Sequence, residues 1–397
     1  MLTTSRKKID HFELMDWDFR GESTKAHYPH NICWYPSRFV PQIPLQFIAA
    51  LSEPGETVYD PFCGCGTTLV ETLRLGRNAV ATDVSPVATF LTHVKARIVA
   101  GEKVDLQLLR DLHGFATPEG DGLFHLREGS GSASSDRHFH ENLEELKQWY
   151  HPATLDQLLA IESAIDSLGK SLTADIAKAA FIAIVMQASG LPIDRPYTYF
   201  ADNVKPKSNV LQKDAYGLFR LRLSRAIVGH AGAPFHATEK MRWSCSTRDV
   251  LQVQPRDIGS IDLVITSPPY LGVTDYITGF RLAHLWFDFG CDIATLKQDE
   301  IGARWKRKRP NGLFDYLIGI NKSIRVMADC SKEGGHICLV LGEAKKYSEA
   351  ILQALSDHAT QVLGLTAVSV LRRNVSQNFF LHPSGGVTTE DIIVFRK

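Results

Sequence analysis

The stretch DLVITSPPYLG (262–272) runs strand-forming residues into Ser267-Pro268-Pro269-Tyr270. Two consecutive prolines remove two backbone donors and fix φ at both positions, so a strand cannot pass through them. Ser267 is held extended by the proline that follows it. A rigid turn of this kind suits one demanding task. An amine on a nucleobase is a poor nucleophile because its lone pair is delocalised into the ring. Acceptors for both its hydrogens draw it toward pyramidal geometry and free that pair. The Ser267 hydroxyl and the Pro268 carbonyl can be those acceptors, and the prolines keep them in place before substrate arrives. Tyr270 offers an aromatic face, where base stacking is worth ~1–3 kcal/mol. Taken alone, the four residues also suit a plain double-proline loop.

A second motif favours the chemical reading. DPFCGCGTT, Asp60 to Thr68, follows a strand-like segment and opens a helix-like one. Gly64 and Gly66 let backbone approach a ligand closely, and a helix N-terminus offers free N–H groups. Asp83 ends the next strand, 23 residues after Asp60. A carboxylate there can accept from ribose hydroxyls. It can equally cap the helix beginning SPVATFL, a role open to Ser85 as well. The pattern is not the dinucleotide G-x-G-x-x-G, because Leu69 stands at the last position, and no phosphate-gripping lysine follows. An adenosine-bearing ligand without a pyrophosphate fits, and S-adenosylmethionine is the obvious one. A methyl donor held over the amine would gain ~7–11 kcal/mol from positioning alone.

These residues need elements to hold them. TVYD (57–60), NAVATD (78–83), DLVIT (262–266) and HICLVL (336–341) read as strands. TTLVETLRLG is a helix with Gly76 as its stop, SPVATFLTHVKARI another, and FRLAHLWFDF (280–289) a third. VLGLTAVSVLRR and EDIIVFRK suit a terminal antiparallel hairpin. Alternating strands and helices predict a doubly wound, mostly parallel α/β sheet built from residues 1–100 and 240–397. Between them, 101–239 reads as a mostly helical insert and a candidate DNA-recognition region. VDLQLLRDL, ENLEELKQWY, TLDQLLAIESAI and DAYGLFRLRLSRAI have apolar residues at helix spacing, and TADIAKAAFIAIVMQAS is apolar nearly all round. REGSGSASSDRH (127–138) reads as a flexible loop.

The chain of 397 residues is 44% apolar, enough for a large core. Lys+Arg and Asp+Glu both number 44, so a polyanion must be met by a local patch rather than an overall field. The first twenty residues lack an apolar signal core, and no uncharged run approaches the roughly 18 residues of a membrane helix. The seven cysteines show no paired metal-ligand spacing, and their odd number argues against a disulfide framework. A soluble cytoplasmic protein, without metal or membrane partner, is expected.

Together the two motifs resemble the S-adenosylmethionine-dependent DNA amino-methyltransferases of the cytosine-N4/adenine-N6 type. Members carry a D-P-F-x-G-x-G-T-T cofactor loop and an [S/D/N]-P-P-[Y/F/W] catalytic turn, present here as DPFCGCGTT and SPPY. The resemblance implies a Rossmann-like seven-stranded methyltransferase sheet, with Ser267, Pro268, Pro269 and Tyr270 catalytic. It assigns Asp60, Phe62, Gly64, Gly66, Thr67, Thr68 and Asp83 to the cofactor. Upstream, KAHYPHNICWYPSRFVPQIP (25–44) is similar to the family's preceding cofactor segment, placing Pro36, Arg38 and Phe39 near the methionine end. STRD (246–249) occupies the third-strand slot, with Asp249 toward the adenine ring, and YLGVTDYITGFRLAHLW is similar to the family's continuation. The match covers roughly 24–98 and 240–345. Two features depart from the pattern: Cys65 stands where serine is usual, and the insert precedes the third-strand segment. Methylation at ring carbon five would need a cysteine nucleophile after a proline, and no Pro-Cys occurs.

The family reading implies double-stranded DNA as partner, with a companion restriction endonuclease or defence-system protein. A flipped base costs a few kcal/mol, so phosphates must be gripped. ARWKRKRPNG (303–312) sets Arg304, Lys306, Arg307, Lys308 and Arg309 around Trp305 and is the best phosphate-binding candidate; it also suits a solvated basic loop. Arg220, Arg222 and Arg225, with Lys205 and Lys207, form a second patch that ordinary helix surface explains better. His27 and His30 have no partnered cysteines and read as packing or surface residues. Serine at the head of the turn favours N4 of cytosine. Adenine N6, an RNA base amine, and a cofactor-binding subunit of a larger complex remain the other readings.

Overall fold

The computed structural model describes residues 12–19, 27–116, 135–191, 204–232, 241–342, 348–375 and 389–397. Of the expected Gly/Ser loop at 127–138, residues 127–134 lie outside them, and 135–138 are helical rather than loop. In chain order the described elements are α1 (Gln42–Leu51), β1 (Thr57–Asp60), α2 (Thr67–Arg74), β2 (Asn78–Asp83), α3 (Pro86–Val99), α4 (Leu106–Phe115), α5 (Ser135–Trp149), α6 (Pro152–Asp166), α7 (Leu172–Ala188), α8 (Ala215–Gly232), β3 (Trp243–Thr247), α9 (Pro255–Ile258), β4 (Ile261–Thr266), α10 (Tyr276–Gly279), α11 (Arg281–Trp286), α12 (Ile293–Asp299), α13 (Gly312–Cys330), β5 (Ser331–Gly342), α14 (Ser348–Asp357), β6 (Thr366–Asn374) and β7 (Thr389–Arg396).

Seven strands form one sheet in the order β3-β2-β1-β4-β5-β7-β6. The first five are parallel; β7 runs antiparallel to both β5 and β6. The doubly wound sheet with a terminal antiparallel hairpin is therefore present as the periodicity predicts. Strand order reverses between β1 and β4, and in open α/β sheets the crevice beyond the strand ends at that reversal is where ligands bind.

The strands read as unbroken apolar runs because both faces are covered. In β4, Val264 packs toward α13 and α14, whereas Leu263 and Ile265 pack toward α1 with Phe47. In β5, Ile337 and Leu339 take the first side, Cys338 and Val340 the second. Helices α4 to α8 do not gather around a private core. Leu109, Leu158, Phe181 and Phe219 share one apolar cluster with Val87 and Leu91 of α3 and with Phe280, Trp286 and Phe287. The helical block is thus bolted to the helix that follows β2 and to the chain that follows the double-proline turn. Among the described residues no helix is long and apolar enough to cross a membrane.

Candidate active site

β1 ends at Asp60, and the chain must then reverse into α2. Gly64 and Gly66 take positive φ of 49° and 81°, the region L side chains avoid. Gly66 has a further reason to be glycine, since a Cβ there would lie 2.8 Å from the Thr92 side chain. That closeness is how α3 braces the loop from beneath. The Thr92 hydroxyl donates to the Gly64 carbonyl (3.0 Å), and the ammonium of fully buried Lys95 donates to the Cys65 carbonyl (2.8 Å). With its carbonyls held by α3, the loop is kept pressed close to that helix. Buried His30 adds support from the side, its Nε2 2.7 Å from Glu71 Oε1. Burial pushes the His30 imidazole down to about 4, so it is neutral at physiological pH.

Three carboxylates stand at the ends of three adjacent strands. Asp60 closes β1; its Oδ1 accepts from the Phe62 N–H (3.1 Å) and the Thr266 hydroxyl (2.6 Å). Asp83 closes β2, with Oδ2 accepting from the Gly64 N–H and Oδ1 from the Ser85 N–H, both at 2.8 Å. Ser85 itself caps α3, so the capping role falls to the serine rather than to Asp83. Asp249 follows β3 and accepts from the Leu251 N–H at 2.9 Å. Burial pushes Asp60 and Asp83 up to about 6 each, against hydrogen bonds that pull them down. Burial raises Asp249 as well.

One cleft joins these groups to the double-proline turn. Its walls include Tyr35, Ser37, Arg38, Phe39, Asp60, Phe62, Gly64, Thr67, Asp83, Asp249, Ser267, Pro269, Tyr276 and Glu300. Of the residues expected at a cofactor, Pro36, Gly66 and Thr68 do not reach this wall. Pro36 and Thr68 are buried, and Gly66 meets α3. Sequence reading missed Tyr35, Ser37, Tyr276 and Glu300. Tyr35 stacks on Phe280 (5.2 Å) and faces Tyr276 (6.0 Å), while Ser37 is 3.1 Å from the Thr274 hydroxyl. Glu300 caps α10, accepting from the Tyr276 N–H at 2.6 Å, and burial raises it to about 8. Tyr276 stood within the quoted YLGVTDYITG stretch; nothing local in the sequence singles out Glu300.

At the turn, Ser267 and Pro269 face the cleft. Tyr270 points inward: 7% exposed, its hydroxyl lies 2.9 Å from Ser267 Oγ and donates to Glu390 Oε1 at 3.0 Å. The ring expected to stack on a base is therefore packed against protein in this structure. The basic segment forms a 3-10 turn, Arg304–Lys308. Lys306 is committed within it, donating to the Gln298 and Glu300 carbonyls, the latter at 2.8 Å. Lys308 and Arg309 are exposed, with the Arg309 guanidinium 4.4 Å above Trp305. The side chain of Arg307 lies outside the described residues. On α8, Arg225 is exposed whereas Arg220 and Arg222 are half-buried; Lys205 and Lys207 are exposed.

The geometry can be set beside known proteins. A profile of the DNA methylase family matches residues 4–89. The Type II methyltransferase M.MjaII of Methanocaldococcus jannaschii is 22% identical over 429 aligned positions, covering 85% of this chain and 77% of that protein. The Type II methyltransferase M.MvaI of Kocuria varians is 24% identical, covering 70% of this chain and 61% of that protein. Among solved structures, the rRNA methyltransferase aviRa from Streptomyces viridochromogenes aligns over 97% of this chain and 92% of its own, with 14% identity and a TM-score of 0.31.

Proposed function

We propose that the chain is a DNA amino-methyltransferase of the N4/N6 type, and that it transfers a methyl group from S-adenosylmethionine to the exocyclic N4 of cytosine in double-stranded DNA. The supporting observation is the shared cleft: Ser267 and Pro269 open onto the same space as Asp60, Asp83 and Asp249. The donor fits the residues present. It carries three groups of hydrogen-bond donors: an adenine amine, a ribose diol and an ammonium. Asp249, Asp83 and Asp60 stand side by side at the ends of β3, β2 and β1, and these are the acceptors assigned to those groups in this reading. When bound, S-adenosylmethionine supplies an electrophilic methyl carbon on a sulfonium.

The chain's own residues do the rest. Ser267 and the Pro268 carbonyl accept the two amine hydrogens, freeing the lone pair for direct transfer without a covalent enzyme intermediate. The prolines fix those acceptors before the base arrives. The base leaves the duplex at a cost of a few kcal/mol, held off by phosphate contacts from Arg304, Arg307, Lys308 and Arg309. The helical block 101–239 contributes to site recognition, with no metal taking part. Site specificity and a companion endonuclease carry over as proposals from the Type II relatives. A neutral serine hydroxyl that can rotate permits cytosine and adenine alike, so the choice of cytosine rests on the resemblance, in which serine at the head of the turn is typical of the N4-type enzymes.

Mass spectrometry of nucleosides from mixed-sequence duplex DNA treated with enzyme and S-adenosylmethionine tests the proposal. N4-methylcytosine is the expected product. Methyladenine alone overturns the base assignment, and methylation of RNA but not DNA overturns the substrate.

A further inference from the structure

Glu390 lies outside both sequence motifs, yet it touches the catalytic turn. It sits near the start of β7, opposite Gly342 of β5 and Arg373 of β6. Gly342 makes the meeting possible. A Cβ at that position would come within 2.1 Å of the Tyr270 ring, so only a bare Cα lets the tyrosine lie across the sheet edge. Through that gap the Tyr270 hydroxyl reaches Glu390 Oε1 at 3.0 Å. Burial raises the Glu390 carboxyl, and against it the other carboxylate oxygen lies 3.3 Å from the Nε of Arg373, itself 2% exposed, a buried cation that with the Tyr270 hydrogen bond pulls the acid back toward its charged form.

The number of hydrogens available fixes the direction of these bonds. A carboxylate has none to give, so Tyr270 donates its only hydrogen to Glu390. The phenol oxygen is then left as an acceptor toward Ser267 Oγ, 2.9 Å away. The serine also has the Val340 carbonyl at 3.2 Å. Its single hydrogen thus has two acceptors, both on the protein side, and its lone pairs are left for the cleft. If the acid were neutral, the chain could reverse: Tyr270 would donate to Ser267 and occupy a lone pair that the amine needs.

We propose that Glu390 is a positioning residue that sets the direction of the Tyr270–Ser267 hydrogen bond and so presents the serine to the target amine as an acceptor. This rests on the reading that Ser267 accepts from that amine.

The test compares Glu390→Gln, Tyr270→Phe, the double variant and Ser267→Ala. Each is assayed for single-turnover methyl transfer to mixed-sequence duplex DNA, KM for DNA and calorimetric affinity for S-adenosylmethionine. Glu390→Gln should slow transfer roughly tenfold, less than the ~10²–10³-fold expected when the serine hydroxyl is removed outright. KM and cofactor affinity should stay within about twofold of wild type, since neither binding step uses the bond direction. Tyr270→Phe should slow transfer similarly, and adding Glu390→Gln to it should cost nothing more, because the acid acts through the phenol. Wild-type rates in Glu390→Gln overturn the proposal, as does a full additional loss in the double variant or a matching loss of cofactor affinity. Should Glu390→Gln not fold, Tyr270→Phe decides alone, because it leaves the acid and its arginine in place; wild-type transfer by it is equally fatal. Unchanged transfer by Ser267→Ala removes the serine reading itself, whereas slow Ser267→Ala beside unimpaired Glu390→Gln sinks the role of Glu390 alone.

Discussion

Thr266 donates its hydroxyl to Asp60 across 2.6 Å, joining the last residue of β4 to the last residue of β1. Ser267 begins the double-proline turn one residue on, and the glycine loop begins one residue after Asp60. A buried side-chain hydrogen bond therefore extends the β1–β4 ladder to the point where the two halves of the cleft begin. Thr266→Val keeps shape and volume while removing the donor. A lost hydrogen bond to a charged group costs about 1.5–3 kcal/mol. Methyl transfer and cofactor affinity should fall together in this variant, measured by turnover and calorimetry. Loss of stability with both activities intact would mean the bond serves packing only.

Asp83 gives the site a dependence on pH. Burial holds its carboxyl at about 6, and a ligand that donates ribose hydroxyls favours the ionised form. Affinity for S-adenosylmethionine should tighten as pH rises through 6, and be roughly tenfold weaker at pH 5 than at pH 7.5 by linkage. Asp83→Asn should remove its own share of the slope, leaving the part due to Asp60, which is also held at about 6. Without ligand the sign reverses for stability. These two raised carboxyls favour folding most at pH values below their unfolded range near 4, and the advantage is lost as pH climbs through 6. Calorimetry with a flat pH profile would take Asp83 away from the ribose.

Two glycines separate strain from collision. Gly66 and Gly76 both hold positive φ, 81° and 74°, but a Cβ meets Thr92 at the first and nothing within 4 Å at the second. Gly76→Ala should cost roughly 1–2 kcal/mol for left-handed backbone alone. Gly66→Ala should cost more in thermal melts and weaken cofactor binding besides. Equal losses would show that α3 gives way at Thr92.

The basic turn divides by function. Lys306 is tied to backbone carbonyls, whereas Lys308 and Arg309 face solvent. Lys308→Ala with Arg309→Ala should reduce the log-affinity versus log-salt slope for DNA by roughly 0.9 for each phosphate that is no longer neutralised. Lys306→Ala should lower stability of the turn and leave that slope nearly unchanged. The opposite pattern would reassign the phosphate grip to Lys306.

Much of this was readable in the chain because it is local. The apolar runs of β4 and β5, the glycines at positive φ and the double proline each announce themselves within ten residues. What escaped reading comes from distance. Glu300 reaches α10 from 24 residues away, and Glu390 meets Tyr270 across 120. Lys306 looked like one more cation for phosphates until the carbonyls ending α12 were in view. Tyr270 has the composition of a stacking platform, and only the missing side chain at Gly342 turns it inward. The helical block was legible helix by helix; that its core continues into α3 and α11 was not, because amphipathic spacing marks a buried face without naming its partner.

The sheet is assembled from segments made far apart in time. Asp60 and Thr266 are separated by 206 residues, nearly all of which leave the ribosome between them. Until β4 emerges, β1 has a free edge and the glycine loop has no opposite wall. Helices α4 to α8 are synthesised during that wait, and their shared core with α3 gives the early half something to fold against. A nascent or truncated chain ending before β4 can thus be compact without possessing a complete cleft. The cleft on which the proposed methyl transfer depends is therefore completed only once β4 and the double-proline turn have been made.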